Sequence, residues 1–374
     1  MDERALCERL IAYDTSTPDG IRAAQGFVKG WLEAREIDVI EHLHHELPVL
    51  SARVGPPVGQ GHPTLVLHGH VDVVPGNPEQ FAPRVEGDRL IGRGAYDMKG
   101  ALAAMMCALR DVAEQRTVAV RFMCAPDEES EDVDTRSTDV LVDAGFEADF
   151  AITGEPTDLH VGVQAKGVLA VRVVVHGRAA HGSTPWLGDN AITKAIEVFR
   201  RIEALPFSRE SSEMFDRPSI NLGRIVGGDA LNKVADRCTM DLDIRYLPGQ
   251  DPGEILESIR RIEDVEARKT FGRVPARVSR THPYVLALCD AVRRSTDQEI
   301  VSVGRDGASD AVSFQAAGIP AVEFGPSGAG HHGPEEWVSI ASLGRYRKAL
   351  ADFVVGLPTY LTAGGASTLR AVEG

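Results

Sequence analysis

Seven side chains of this sequence could serve one piece of chemistry: His70, Asp72, Asp97, Glu128, Glu129, Glu155 and His332. Imidazoles and carboxylates suit a pair of divalent first-row cations, most often zinc. If such cations stand about 3.5–4 Å apart, one carboxylate must bridge them. His70 and Asp72 leave the end of an apolar run, Thr64-Leu65-Val66-Leu67, two positions apart. Alternate residues of an extended chain point the same way, so the carboxylate can fix the tautomer of a ligating imidazole. Glu128 and Glu129 are neighbours in the chain. In an irregular loop one can face a metal while the other faces the attacking water. Each residue also has a plainer reading. Glu131, Asp132 and Asp134 extend the acidic run, which could be a solvated loop. Glu155-Pro156 could be a strand-ending turn, and His331-His332 follows Gly328-Ala329-Gly330, as an incidental pair in a flexible loop would.

The elements that must position these residues can be read from periodicity. Helical spacing predicts helices over residues 2–13 and 21–35, with turn residues Asp14-Thr15-Ser16-Thr17-Pro18 between them. The run carrying His70 reads as a buried strand, as do 118–124 and 150–153, which end just before Glu128 and Glu155. Met98, Leu102, Met105, Met106 and Leu109 recur at helical spacing, which puts Asp97 at a helix N-terminus. Alternating strands and helices predict an α/β fold: a mostly parallel sheet with helices on both faces and its site at the strand ends. From residue 168 the pattern changes to strands 168–175, 219–226 and 238–246 with amphipathic helices at 189–205 and 252–262. This reads as an inserted α+β two-layer lid, residues 168–281, splitting a catalytic domain made of 1–167 and 282–374.

A chain of 374 residues is long enough for two cores. Its formal net charge of −15 argues against nucleic acid or an anionic membrane as a partner. The N-terminal Met1-Asp2-Glu3-Arg4 lacks the apolar stretch of a signal peptide, and the longest apolar run, Ala101 to Leu109, is too short to span a bilayer. The five cysteines are scattered without a Cys-x-x-Cys, the usage expected of reduced thiols in a cytoplasmic protein.

Taken together and in order, the motifs carry a resemblance. His70-Val-Asp72-Val-Val-Pro, Gly92-Arg-Gly-Ala-Tyr-Asp97-Met-Lys-Gly100, Asp127-Glu128-Glu129, Gly154-Glu155-Pro156-Thr157 and His332-Gly-Pro-Glu-Glu336-Trp are spread over nearly the whole chain. The sequence resembles the dinuclear zinc peptidase family of aminoacylase, acetylornithine deacetylase, succinyl-diaminopimelate desuccinylase and related dipeptidases. That resemblance implies two divalent metal ions, zinc by expectation with cobalt or manganese as alternatives. His70 and Glu155 would hold one and Glu129 and His332 the other, with Asp97 as the bridge, a cis peptide at Asp97–Met98, Asp72 orienting His70, and Glu128 as general base. In the lid, Val175-His176-Gly177-Arg178-Ala179-Ala180-His181-Gly182-Ser183 resembles a family motif whose histidine, here His181, stabilises the oxyanion, in some members across a homodimer. Asn232 and Arg245 match lid positions that grip substrate, although Arg245 could equally be an exposed strand arginine paired with Asp243. The Gly-rich loop with Ser309 could offer N–H groups to a carboxylate. The function implied is hydrolysis of the amide of a small N-acyl-amino acid, as in the deacetylase and desuccinylase. A dipeptidase or carboxypeptidase acting on short peptides is the alternative, and a non-catalytic homologue is more remote because neither a ligand nor the base is lost. Desuccinylases resemble one another in an arginine pair before the lid. Here Gln164-Ala165-Lys166-Gly167 stands in its place.

Overall fold

The His70 strand, Thr64–His70, lies within the main sheet, and all of its residues are buried. The computed structural model describes residues 2–130, 135–296 and 301–371, so the acidic residues Glu131, Asp132 and Asp134 lie outside the described residues. Ala119–Ala125 and Phe150–Thr153 flank the His70 strand in parallel, and Ala321–Glu323 continues the parallel run beyond Phe150–Thr153. The flanks turn antiparallel: Leu47–Val54 pairs with Ala119–Ala125 and forms a hairpin with Val39–His44. A strand buried on both faces has no polar side to show, which explains the unbroken apolar run. On one face Val66 packs with Met123, Ala151, Ala311 and Phe314. On the other, helix Gly100–Asp111 approaches so closely that a Cβ at Gly69 would stand 2.8 Å from the Met98 side chain. Glycine there is a packing requirement.

Helix starts follow their caps. Asp2 accepts the N–H of Ala5 at 3.0 Å and opens Glu3–Ile11. Thr17 accepts the N–H of Gly20, and Pro18 occupies the first turn of Pro18–Glu33. The second helix therefore begins three residues earlier than periodicity predicts, because Pro18 belongs to the helix rather than to the turn. Ile21, Ala24, Val28, Trp31 and Leu32 form its buried face.

The chain divides into two compact units: Met1–Val163 with Val278–Val303 and Ser309–Gly374, and Gln164–Arg277 with Gly304–Ala308. The division falls a few residues before the expected one at each junction and adds the short piece Gly304–Ala308. In the second unit four antiparallel strands run in the order Ser219–Gly227, Arg237–Tyr246, Gly167–His176, Val265–Arg273. Alternate residues Val171, Val173 and Val175 and Met240, Leu242 and Ile244 face helices Ala191–Glu203 and Pro252–Arg260 through Ala195, Val198, Ile202, Ile255 and Ile259. Each such aliphatic side chain contributes about 1.5–3 kcal/mol by burial. Arg172 and Asp241, at intervening positions, form a two-pronged ion pair at 2.6 and 2.9 Å.

Candidate metal centre

Parallel register brings the strand ends of the first unit level. His70 pairs with Ala125 and His68 with Thr153, so Glu128, Glu129 and Glu155 leave the sheet beside His70. Two triads result, His70 with Asp97 and Glu155, and Asp97 with Glu129 and His332; within each, the donor atoms lie within 4.8 Å of one another. His70 Nε2 is 3.3 Å from Asp97 Oδ1 and 3.9 Å from Glu155 Oε1. His332 Nε2 is 3.4 Å from Asp97 Oδ2 and 2.8 Å from Glu129 Oε1. Asp97 thus turns one carboxylate oxygen to each triad, the arrangement a bridging ligand requires.

The donors fit a cation for a further reason. His70 Nε2 and Glu155 Oε1 are buried and have no hydrogen-bond partner. Leaving such atoms unpaired away from water costs about 1–3 kcal/mol each. His70 Nδ1 faces the backbone carbonyl of Asp72 at 3.0 Å, which places the ring proton on Nδ1 and leaves the Nε2 lone pair directed at the cluster. The tautomer is thus set by the carbonyl of Asp72 more than by its carboxylate, whose Oδ1 is 3.5 Å away. Asp72 Oδ2 instead accepts the N–H of Glu129 at 2.8 Å and positions a carboxylate of the second triad.

Crowding shows in the protonation of the cluster. Burial, then the charge of Asp97, holds the Glu155 carboxyl well above its ordinary range. Burial opposes a charge on His70, yet the nearby carboxylates of Asp72, Asp97 and Glu155 raise it well above the usual imidazole value. Burial would raise Asp97 too, but His332 and His70 outweigh it and keep its carboxyl far below the usual range. Hydrogen bonds to Asp97 and Glu129 push His332 up to about 10. Divalent cations would relieve the repulsion among these carboxylates.

Asp97 is not at a helix N-terminus as periodicity predicts. The regular helix starts at Gly100, and Asp97 and Met98 have non-helical backbone angles within a kinked segment, joined by a cis peptide. The segment is shaped by Glu336, which the sequence reading places in the His332 motif without a contact of its own. Its Oε1 accepts the N–H groups of Tyr96 and Asp97, each at 3.0 Å. Its Oε2 accepts Gly94 N–H at 2.9 Å and the Arg93 guanidinium at 3.0 Å. Gly94 has φ 76°, and a Cβ there would stand 2.6 Å from Val73, so the loop needs glycine. The available signal for Glu336 was an acidic residue directly before the strand Trp337–Ser339.

Of the two adjacent histidines, His332 joins the cluster while His331 sets its ring edge-on to Tyr96. Glu128 is buried and joins neither triad; its carboxylate meets the guanidinium of Arg136. Burial raises Glu128 to about 8 even against Arg136, so it can exchange a proton near neutral pH. Ser309 is buried and its hydroxyl donates to Glu323 at 2.7 Å, so any part this loop plays in holding a carboxylate falls to its backbone N–H groups.

In the second unit His181 Nδ1 accepts the N–H of Ser183 at 3.1 Å, so the neutral ring carries its proton on Nε2. The neighbouring Gly182 N–H donates to the carbonyl of Asn232 at 2.6 Å, which brings these two stretches together. Arg245 grips Asp243 through Nε and Nη2 at 2.9–3.1 Å, the pairing of neighbours on one strand face that the sequence reading named as its alternative role.

Among the described residues, no helix is long and apolar enough to cross a membrane. Comparison with known proteins gives the wider setting. An acetylornithine deacetylase of Yersinia pestis is 26% identical over 370 residues, covering 92% of this chain and 93% of that one. A succinyl-diaminopimelate desuccinylase of Sphingopyxis alaskensis is 31% identical over 372 residues, covering 92% and 95%. A tripeptidase from Staphylococcus aureus shares the fold with a TM-score of 0.78 at 21% identity, covering 94% and 97%. An M20 family metallo-carboxypeptidase from Sulfolobus solfataricus does so with 0.77 at 20%, covering 96% and 100%. The model of peptidase family M20/M25/M40 matches residues 66–355, most of the chain, and the chain belongs to that family of amide-bond hydrolases.

Proposed function

We propose that the protein is a dinuclear metallo-deacylase that hydrolyses the amide of a small N-acyl-amino acid. The observation that carries this is Asp97, whose two oxygens face separate triads, one of which contains the buried, unpartnered His70 Nε2 and Glu155 Oε1. His70 and Glu155 would hold one divalent ion, Glu129 and His332 the other, with Asp97 shared; zinc is the expected metal, with cobalt or manganese able to replace it. Bound there, the ions supply Lewis-acid polarisation of the scissile carbonyl and acidify the attacking water. Glu128 takes the proton from that water and returns it to the leaving amine. His181, protonated on Nε2, donates to the developing oxyanion.

The deacylase reading is supported by relatives named acetylornithine deacetylase and succinyl-diaminopimelate desuccinylase that align over nearly the full chain. Peptidases share the fold, so a dipeptidase or carboxypeptidase is the second reading. We assign the second unit the roles of lid and homodimer contact. A cytoplasmic setting is consistent with five free, buried cysteines.

The test is to strip the protein with a chelator, restore zinc, cobalt or manganese, and assay N-acetyl- and N-succinyl-amino acids beside dipeptides. Deacylation that requires restored metal and is abolished in a metal-replete Glu128→Gln variant is the expected result. Cleavage of dipeptides alone would establish the second reading. Full activity of Glu128→Gln would remove the assignment of the base.

A further inference from the structure

Glu128 is coupled to the strand that carries His70 by a buried chain of polar contacts. The Arg136 guanidinium that meets Glu128 also reaches Asp310 Oδ1 at 3.1 Å through the same Nη1. Asp310 is fully buried, and its Oδ2 accepts the hydroxyl proton of Thr138 at 2.6 Å. Thr138 has therefore spent its only proton, and it accepts from His68 Nε2 at 3.0 Å. His68 lies two residues before His70 on the same face of the same buried strand. Arg136 is itself largely buried and caps helix Ser137–Asp143, its amide donating to Asp139 at 3.2 Å.

A salt bridge to Asp310 alone would satisfy a structural arginine. Glu128 brings a second carboxylate to the same guanidinium, next in the chain to the ligand Glu129. A carboxylate left free beside a pair of divalent ions becomes a further ligand, and a coordinated carboxylate is a poor base. A planar guanidinium fixes both the direction and the charge of the carboxylate it meets, more tightly than an ammonium does. We propose that Arg136 is a positioning residue that holds Glu128 out of the metal coordination and in the orientation of a base, with Asp310, Thr138 and His68 as its anchor. The proposal rests on the reading of Glu128 as the base.

The experiment compares wild type, Arg136→Met, Arg136→Lys and Glu128→Gln as metal-reconstituted full chains. It measures kcat, KM, metal content and thermal midpoint on the best substrate found. Arg136→Met is expected to lose about 10–100-fold in kcat, the scale of a roughly 1 Å misplacement, with KM within about twofold and metal content not reduced. Arg136→Lys keeps the charge without the fork and is expected to recover only part of that loss at an unchanged thermal midpoint, which keeps the test decisive should the Met variant fail to fold. Unchanged kcat in a folded Met variant overturns the proposal, and where the Met variant does not fold, unchanged kcat in the Lys variant overturns it. So does a rise in KM at constant kcat, which would make Arg136 a substrate anchor, and so does a loss of metal. Activity of Glu128→Gln would instead overturn the base assignment, and is distinguished by being independent of any Arg136 variant.

Discussion

Glu336 accepts the backbone N–H of Asp97 at 3.0 Å, so the residue shared by both triads is held in place by the segment that carries His332. The same carboxylate takes the N–H groups of Gly94 and Tyr96 and the Arg93 guanidinium, and Arg93 reaches the carbonyl of His332 at 3.4 Å. One buried side chain thereby fixes the relative position of two ligands of the second triad. Glu336→Gln replaces one acceptor oxygen by a donor facing N–H groups. It should lower affinity for the more weakly held metal about 10–100-fold, the usual cost of losing an outer partner of a ligand. Calorimetric titration of metal-free protein measures this, and equal affinities in variant and wild type would contradict it.

Asp97 faces both triads, whereas His332 belongs to one. Asp97→Ala should therefore cost both metals, and His332→Ala only one. Elemental analysis after dialysis against micromolar zinc separates the two cases. An Asp97→Ala protein that retains two zinc ions per chain would show that the carboxylate does not bridge.

Much of this candidate centre was legible in the sequence because most of its side chains sit at the ends of strands, and strands announce themselves through apolar runs. His70, Glu129 and Glu155 all follow such runs. The kinked segment around Asp97 was not legible, because the helical spacing of Met98 to Leu109 continues through it and the force that breaks it, Glu336, lies 239 residues away. The role of Arg245 was left open for a related reason. Its partner Asp243 decides whether the side chain is available, and a residue type alone does not reveal what it is already bonded to. Arg136 escaped notice beside an acidic run, where a basic residue reads as ordinary surface balance.

His181 should affect turnover without touching the metals. Ser183 N–H and hydroxyl both lie on the Nδ1 side, at 3.1 and 2.7 Å, and they fix the Nε2–H tautomer. His181→Ala is expected to lose about 10²–10³ in kcat with metal content unchanged, the scale of losing one oxyanion donor. Ser183→Ala removes the hydroxyl but keeps the backbone N–H, so its effect should be much smaller. Parallel loss of metal and activity in His181→Ala would indicate a folding role.

Stability at acid pH offers a test away from the site. Arg347, on the long C-terminal helix, bonds Asp111 at 2.6 Å and Glu3 at 2.7 Å, and so joins the ends of helices Gly100–Asp111 and Glu3–Ile11. Burial pushes the Asp111 carboxyl up, but hydrogen bonds from Arg347 and Arg110 outweigh it and hold it below the usual carboxylate value. A depressed folded-state value stabilises the protein at pH above the unfolded value of about 3.9, and that contribution fades as pH falls through the lower folded value. The groups are partly exposed, so Arg347→Met should cost about 1 kcal/mol or less near neutral pH. The difference in thermal midpoint between wild type and variant should hold from pH 7 to about pH 5 and shrink below pH 4. Melting curves across that range measure it directly. A difference that stayed constant on acidification would mean that Arg347 acts through its packing against the helices rather than through its charge.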